Sequence, residues 1–150
     1  MPRFMPDTNC MVALLLPWHE HHVWAKAETE RRMDGGEVLV LAAHTLVETY
    51  AVLTRLPSPH RLAPADCRAL LEANFTPEAV EVVTLSGDDY RQLIHEAPDN
   101  NLSGGRVYDA VIARCARVGR ADALLTFNVR HFAPFVGENL AIITPSSEEG

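Results

Sequence analysis

Three carboxylates in this 150-residue chain stand where an acid calls for a reason. Asp7 directly follows the short apolar run from Arg3 to Pro6 and has Thr8 and Asn9 beside it. Glu48 interrupts the apolar segment HTLVETYAVLTRL, and Asp109 opens a helical stretch after a glycine loop, in GGRVYDAVIA. A fourth polar residue, Asn128, follows the apolar run ALLT within TFNVRHF. Three carboxylates gathered at one edge repel one another and stay ionised together only when a cation joins them. A ligand set made of oxygens alone selects Mg2+ or Mn2+ over zinc. Such an ion polarises a phosphoryl oxygen, orients an attacking water and lowers its pKa, which suffices for phosphoester hydrolysis without a protein nucleophile.

Each of the four also has a local structural reading. Asp7 fits a helix N-cap, its carboxylate bonding free amides of the first turn. Glu48 has His44 and Val52 one turn away, which argues against a solvated i,i+4 ion pair, although Arg55 remains a candidate partner. Asp109 suits the first turn of a helix, where the macrodipole favours acids, and shares a face with Ala113 and Ala116 that leaves room for an ion. The apolar stripe of that helix is read as Tyr108, Val111, Ile112 and Cys115. Asn128 fits a turn, and its amide is a weaker ligand than a carboxylate.

The elements that must position these residues follow from periodicity and punctuation. Arg3 to Pro6 reads as a strand and Cys10 to Leu16 as a helix capped by Thr8 or Asn9. A helix over His21 to Met33 is closed by Asp34-Gly35-Gly36, and Glu37 to Leu41 is a buried strand. Ala43 to Leu56 is a helix with Leu46, Val47, Tyr50 and Leu53 as its apolar stripe, stopped by Pro57 and Pro59. A helix over Ala63 to Asn74 has Pro64 in its first turn, Ala79 to Leu85 alternates as a strand, and a helix runs from Ser86 to about Ala97. After the polar loop Pro98 to Gly105 come a helix over Val107 to Val118, strands at Ala123 to Thr126 and Leu140 to Ile143, and a polar tail from Pro145 to Gly150. Strands separated by helices predict an α/β chain with a parallel sheet covered on both faces, in a single domain over residues 1–150. Ligand sites in such sheets form beyond the carboxyl ends of the strands, where Asp7 and Asn128 fall.

Composition agrees: 47% hydrophobic and 22% charged residues suit one globular core. The net charge of −7 excludes a protein that coats nucleic acid by bulk electrostatics, so any nucleic-acid contact is local. Charge is uneven, since residues 101–131 hold five arginines (Arg106, Arg114, Arg117, Arg120, Arg130) against Asp109 and Asp122. That segment is either a basic patch beside the acids or a solvated helix face. The apolar run from Met11 to Leu16 is broken by Pro17, which makes it neither membrane span nor signal peptide. Three scattered cysteines, Cys10, Cys67 and Cys115, suggest neither zinc nor a disulfide framework and point to a reducing cytoplasm. Cys10 and Cys115 read as small core residues.

Taken together, PDTN after the first strand, the helix glutamate in LVETYAVLTRL, the GGRVYDAVIA segment and LLTFNVRHF after a late strand resemble the PIN-domain family, in particular its VapC-type toxins. The resemblance spans nearly the whole chain. It implies a three-layer α/β/α sandwich with a central, mainly parallel sheet, an acidic Mg2+ or Mn2+ site, RNA as substrate, a homodimer, and inhibition by a cognate antitoxin. Position by position, Asp7, Glu48 and Asp109 look like the family's acidic metal ligands, and Asn128 stands where the family often has a fourth acid. Thr8, Asn9 and Thr126 look like the partners that hold those carboxylates. Arg106, Arg114 and Arg130 are the candidates for guiding RNA phosphates toward the acids.

The expected activity is therefore a metal-dependent endoribonuclease whose products carry a 3′-hydroxyl and a 5′-phosphate. The alternatives are another metal-dependent nuclease or phosphohydrolase on the same scaffold, or a catalytically weak interaction module. The group His19, His21, His22 with Trp18 and Trp24 admits a metal or base-stacking site, but is read as a helix start whose tryptophans pack while the histidines face solvent.

Overall fold

The computed structural model describes residues 2–135, 137 and 139–146. Its elements are β1 (Arg3–Pro6), α1 (Thr8–Leu15), α2 (His22–Asp34), β2 (Val38–Ala42), α3 (Ala43–Thr54), α4 (Pro64–Asn74), β3 (Val80–Val83), α5 (Gly87–Glu96), α6 (Arg106–Val118), β4 (Ala123–Leu125), α7 (Val129–Phe132) and β5 (Ala141–Ile143). The strands form one sheet in the order β3-β2-β1-β4-β5, every pair parallel. The chain builds outward from β1 to β3, then returns to lay β4 against the other side of β1. That reversal opens a crevice beyond the carboxyl ends of β1 and β4.

Pleating divides the strands between two cores. Met5, Val40, Ala42 and Leu124 pack with Leu93 of α5 and with Val111, Ile112, Cys115 and Ala116 of α6. Their neighbours Phe4, Leu39, Leu41, Ala123 and Leu125 face Cys10, Met11 and Ala13 of α1 and Ala25 of α2 on the other side. Successive side chains of a strand point to opposite faces, so strands covered on both sides read as continuous apolar runs, as VLVLA and ALL do here. This is the expected α/β/α sandwich. A third cluster, Val12, Leu15, Leu16, Leu53, Cys67 and Leu71, joins α1, α3 and α4. Gly119 ends α6 where the helix meets the sheet, and a Cβ there would fall 2.8 Å from Val83 and 3.2 Å from Val40. All three cysteines are buried and free, and no helix among the described residues is long and apolar enough to cross a membrane.

Several local expectations change. The N-cap of α1 is Asp7, and neither Thr8 nor Asn9 takes that place, because the helix starts a residue or two earlier than its apolar pattern suggests. The buried face of α3 is Thr45, Thr49 and Leu53, while Val47 is 70% exposed and Tyr50 is also exposed, so half of the expected stripe faces outward. On α6 the buried stripe is Ala110 to Ala113 with Cys115 and Ala116, and Tyr108 is exposed. β3 is shorter than expected and does not alternate: Val80 and Val83 are buried with Glu81 and Val82 exposed between them. The four-residue helix α7 is too short to show periodicity and is absent from the sequence reading. Trp18 and Trp24, read as packed, are exposed. Of the polar tail, residues 147–150 lie outside the described residues.

Candidate active site

At the β1/β4 crevice a pocket of about 420 Å3 is lined by Asp7, Thr8, Asn9, Glu48, Val52, Arg55, Gly105, Arg106, Tyr108, Asp109, Ile112 and His131. The three carboxylates singled out in the sequence thus meet from three separate elements. Asp7 arrives on the turn from β1 to α1, Glu48 on α3 and Asp109 in the first turn of α6.

Asp7 is held hardest. One carboxylate oxygen caps α1 by accepting the amide of Cys10 at 2.8 Å, and the other accepts the hydroxyl of Thr126 at 2.6 Å. The cap and the site role are therefore compatible in one side chain. Its pKa is pushed up from 3.8 to about 6, mainly by burial and further by the charges of Asp109 and Glu48, against the lowering effect of its two hydrogen bonds. Burial likewise raises the Asp109 carboxyl, opposed by His131 and Arg106 and reinforced by Glu48. His131 Nδ1 lies 3.4 Å and Arg106 Nε 3.8 Å from Asp109 Oδ2. Asp109 does not face a surface of small residues, since Ala113 and Ala116 pack in the core beneath it and its pocket neighbours are Gly105, Tyr108 and Ile112.

Glu48 has an i,i+4 partner after all: His44 Nε2 approaches Glu48 Oε2 at 3.5 Å, whereas Arg55 lines the pocket rather than pairing as first weighed. The His44 ring also stacks on Tyr108, centroids 4.9 Å apart and planes 18° from parallel, which ties the Glu48 helix to the Asp109 helix. Thr8 and Asn9 line the pocket, and Thr8 donates to Thr45 at 3.4 Å. The Thr126 hydroxyl serves twice, donating to Asp7 and accepting the Asn128 amide at 2.9 Å. Asn128 itself, two residues after Thr126, is half-buried at the N-cap of α7, and its side chain is not part of the pocket lining.

Among the three candidate arginines only Arg106 lines the pocket; Arg114 is tied to Glu96 at 2.7 Å beside a different hollow, and Arg130 is exposed on α7. Two residues that sequence reasoning did not place at the site are His131 and Tyr108. His131 reaches it through α7, for which four residues carry no periodic signal, and Tyr108 sat on what read as a core stripe.

The donor chemistry fits a hard divalent cation. Asp7 is bound only by neutral donors and faces two further acids, so its charge is left for an ion to balance. Among the described residues no three His, Cys, Asp or Glu side chains close into a ready-made ligand group.

Comparison with known proteins agrees with this geometry. Residues 4–134 match the PIN domain family. Ribonuclease VapC40 of Mycobacterium tuberculosis is 38% identical over 125 residues, covering 83% of this chain and 86% of that protein. Ribonuclease VapC27 of the same organism is 34% identical over 126 residues, covering 81% and 82%. Among solved structures, VapBC2 from Rickettsia felis bound to a DNA fragment from its promoter matches with a TM-score of 0.68 at 18% identity over 96% of this chain and 99% of that one. VapC20 of Mycobacterium tuberculosis, a sarcin-ricin loop cleaving toxin, matches with a TM-score of 0.65 at 20% identity over 87% and 93%. A sheet switch point that gathers three acids, together with a family match over most of the chain, identifies this protein as a member of the PIN-domain family, related in sequence to the VapC ribonucleases.

Proposed function

We propose that this chain is an endoribonuclease toxin that hydrolyses RNA phosphodiester bonds with the help of Mg2+ or Mn2+ and is restrained by a cognate antitoxin protein. The observation that carries the proposal is the convergence of Asp7, Glu48 and Asp109 on one pocket, with Asp7 buried among neutral donors. The ribonuclease names of its relatives and the toxin–antitoxin complexes among its structural neighbours support the same reading.

In this reading Asp7, Glu48 and Asp109 hold the cation. When bound, it supplies Lewis-acid stabilisation of the phosphoryl oxygens and acidifies water. The protein's own groups do the rest. Thr126 fixes the Asp7 carboxylate through a 2.6 Å hydrogen bond, so one of its oxygens keeps a constant direction. Arg106 and Arg55, both lining the pocket, are placed to take the non-bridging phosphate oxygens and draw a polyanion toward an acidic centre. His131, beside Asp109, is positioned to move a proton to or from the reacting oxygens. Asn128 contributes through its backbone amide on Thr126. Water attack leaves a 5′-phosphate and a 3′-hydroxyl. The protein acts as a homodimer in the cytoplasm.

The test is cleavage of end-labelled structured RNA by the purified chain with Mg2+, with Mn2+, with chelator, and by Asp109→Asn. Cleavage lost on chelation and in the variant is expected. Equal cleavage by variant and wild type would displace the site, and a 2′,3′-cyclic phosphate end would overturn attack by water.

A further inference from the structure

Away from the acids, the structure joins six rings into a continuous strip. His60 lies 4.2 Å from Trp18, Trp18 is 6.4 Å from His19, and His19 is 5.6 Å from His21, centroid to centroid. His21 then stacks on Phe127 at 4.3 Å with planes 13° apart and on Trp24 at 5.6 Å with planes 27° apart. The strip is exposed where it matters: Trp18 is 51% and Trp24 37% accessible. It is also rigid. His19 Nδ1 accepts the His21 amide at 3.0 Å, His22 Nδ1 bonds the Ala13 carbonyl oxygen at 2.9 Å, and Phe127 is anchored in the core with Cys10 and Ala25. Burial and the neighbouring His21 lower the His19 pKa, which favours the neutral ring.

Two connections tie this strip to the acidic pocket. Phe127 directly follows Thr126, whose hydroxyl holds Asp7. The segment between α3 and α4 carries Arg55 at the pocket and His60 against Trp18. A single-stranded RNA held at the acids therefore has a ready surface for its next bases. The charge of the chain supplies the reason for one: at −7 it gains little from general attraction to phosphate, so contacts that need no cation would add to the local ones made by Arg55 and Arg106. Stacking on exposed rings is such a contact and tolerates any base.

We propose that Trp18, Trp24 and the histidine rings between them form a platform on which unpaired bases of the RNA substrate stack beside the acidic pocket. The proposal rests on the ribonuclease reading, and it adds the surface that fixes the register of the strand over the acids. A nucleobase is favoured over a protein side chain because Trp18 and Trp24 present exposed flat rings, and the segment that seats His60 against Trp18 also carries Arg55, which lines the acidic pocket.

The test uses the fact that the chain has only two tryptophans, both in the strip. Intrinsic fluorescence of the full-length Asp109→Asn protein, in chelator, is titrated with a single-stranded 12-nucleotide RNA and separately with inorganic polyphosphate. Quenching by the RNA but not by polyphosphate is expected. Trp18→Ala and Trp24→Ala should each weaken RNA binding between about fivefold and about a hundredfold. Trp→Phe at the same positions should recover most of that loss. In the cleavage-competent protein the alanine variants should raise KM with kcat nearly constant. Absence of quenching, with wild-type KM in both alanine variants, would overturn the platform even while cleavage persisted and would leave the strip as a surface for a protein partner. Quenching in a protein that never cleaves RNA would sink the catalytic reading and spare the platform.

Discussion

Among the described residues two carboxylates are almost wholly buried, and their surroundings differ in one respect. Glu28 on α2, 1% exposed, accepts from Arg31 at 2.6 Å and from Arg32 at 2.7 Å, and Arg32 continues to Glu37 at 2.9 Å. Its compensating cations lie three and four residues along the same helix. Asp7, 3% exposed, is bonded only to an amide and a hydroxyl, and the nearest charges that act on it are two more acids. Burying a carboxylate is costly unless a cation and hydrogen bonds offset the loss of water. The fold supplies that cation to Glu28 and withholds it from Asp7. An acid kept buried at a cost to stability marks a place selected for chemistry rather than folding.

Replacing each acid by its amide tests the contrast most directly. Asp7→Asn should lower RNA cleavage about a thousandfold, of the order of losing a principal electrostatic group in an active site. The same variant should unfold at higher urea than wild type at pH 7.5, because Asn still caps a helix and carries no buried charge. The sign follows from linkage. The folded pKa of about 6 lies above the ordinary 3.8, so between about pH 4 and 6 the native state keeps a proton that the unfolded chain has released. Stability from this group is greatest below that window and is lost as pH rises through it, by roughly 2–3 kcal/mol. Urea melts at pH 4 and pH 7.5 should show the decline in wild type and its absence in Asp7→Asn. A variant that lost stability but kept its activity per folded molecule would make Asp7 a second Glu28.

Glu28→Gln is the opposite experiment. It removes the charge that Arg31 and Arg32 share and should destabilise the fold by about 3 kcal/mol, the low end for a broken buried pair because the Arg31 side chain is 45% exposed. Cleavage per folded molecule should be unchanged, checked by denaturation and by rates measured well below the melting temperature. A loss of kcat with intact folding would show that α2 does more than support the sheet.

How much of this contrast was legible in the sequence differs between its two halves. Glu28 with Arg31 and Arg32 follows the i,i+3 and i,i+4 spacing of a helix, a local pattern, yet its burial comes from tertiary packing, in which the Arg32 guanidinium lies 5.8 Å from the centre of the Phe4 ring. The strand–helix alternation fixed the α/β class and the parallel sheet, because apolar runs such as VLVLA require cover on both faces. The acids were legible as acids in unusual places. Their meeting was not, because it depends on β4 returning to the side of β1, a long-range pairing with no local trace. The same limit hid His131, carried in by a helix of one turn, and misassigned Val47 and Tyr50, whose apolar spacing matches a buried face although they are exposed. It also made Arg114 look available when Glu96, 18 residues earlier, already holds it.

A smaller effect sharpens the comparison without removing any charge. Thr126→Val keeps the shape of a fully buried side chain but deletes the hydroxyl that donates to Asp7 and accepts from Asn128. With that lowering influence gone, the Asp7 carboxyl should titrate higher still, and the acid limb of the cleavage profile should move toward neutral pH. The rate at pH 7 should fall about 10- to 100-fold, the usual range for a residue that orients a ligand. An unshifted profile with a reduced rate would mean that Thr126 supports the backbone of the turn rather than the carboxylate.

The least effect is expected at Asn128, where the resemblance suggested a fourth acidic position. Its side chain lies outside the pocket lining and makes none of the described hydrogen bonds, and its amide on Thr126 belongs to the backbone and survives substitution. Asn128→Ala should therefore change cleavage by less than about threefold, the scale of a surface substitution within about 0.5 kcal/mol. Asn128→Asp is the informative counterpart. It adds a fourth negative charge at the carboxyl edge of the sheet, so it should raise the apparent Mn2+ affinity measured by thermal shift if that edge takes part in holding the ion. If neither substitution changes cleavage or the shift, the three acids at the β1–α1 turn, on α3 and on α6 need no fourth to hold the cation, and Asn128 is simply the residue that starts α7.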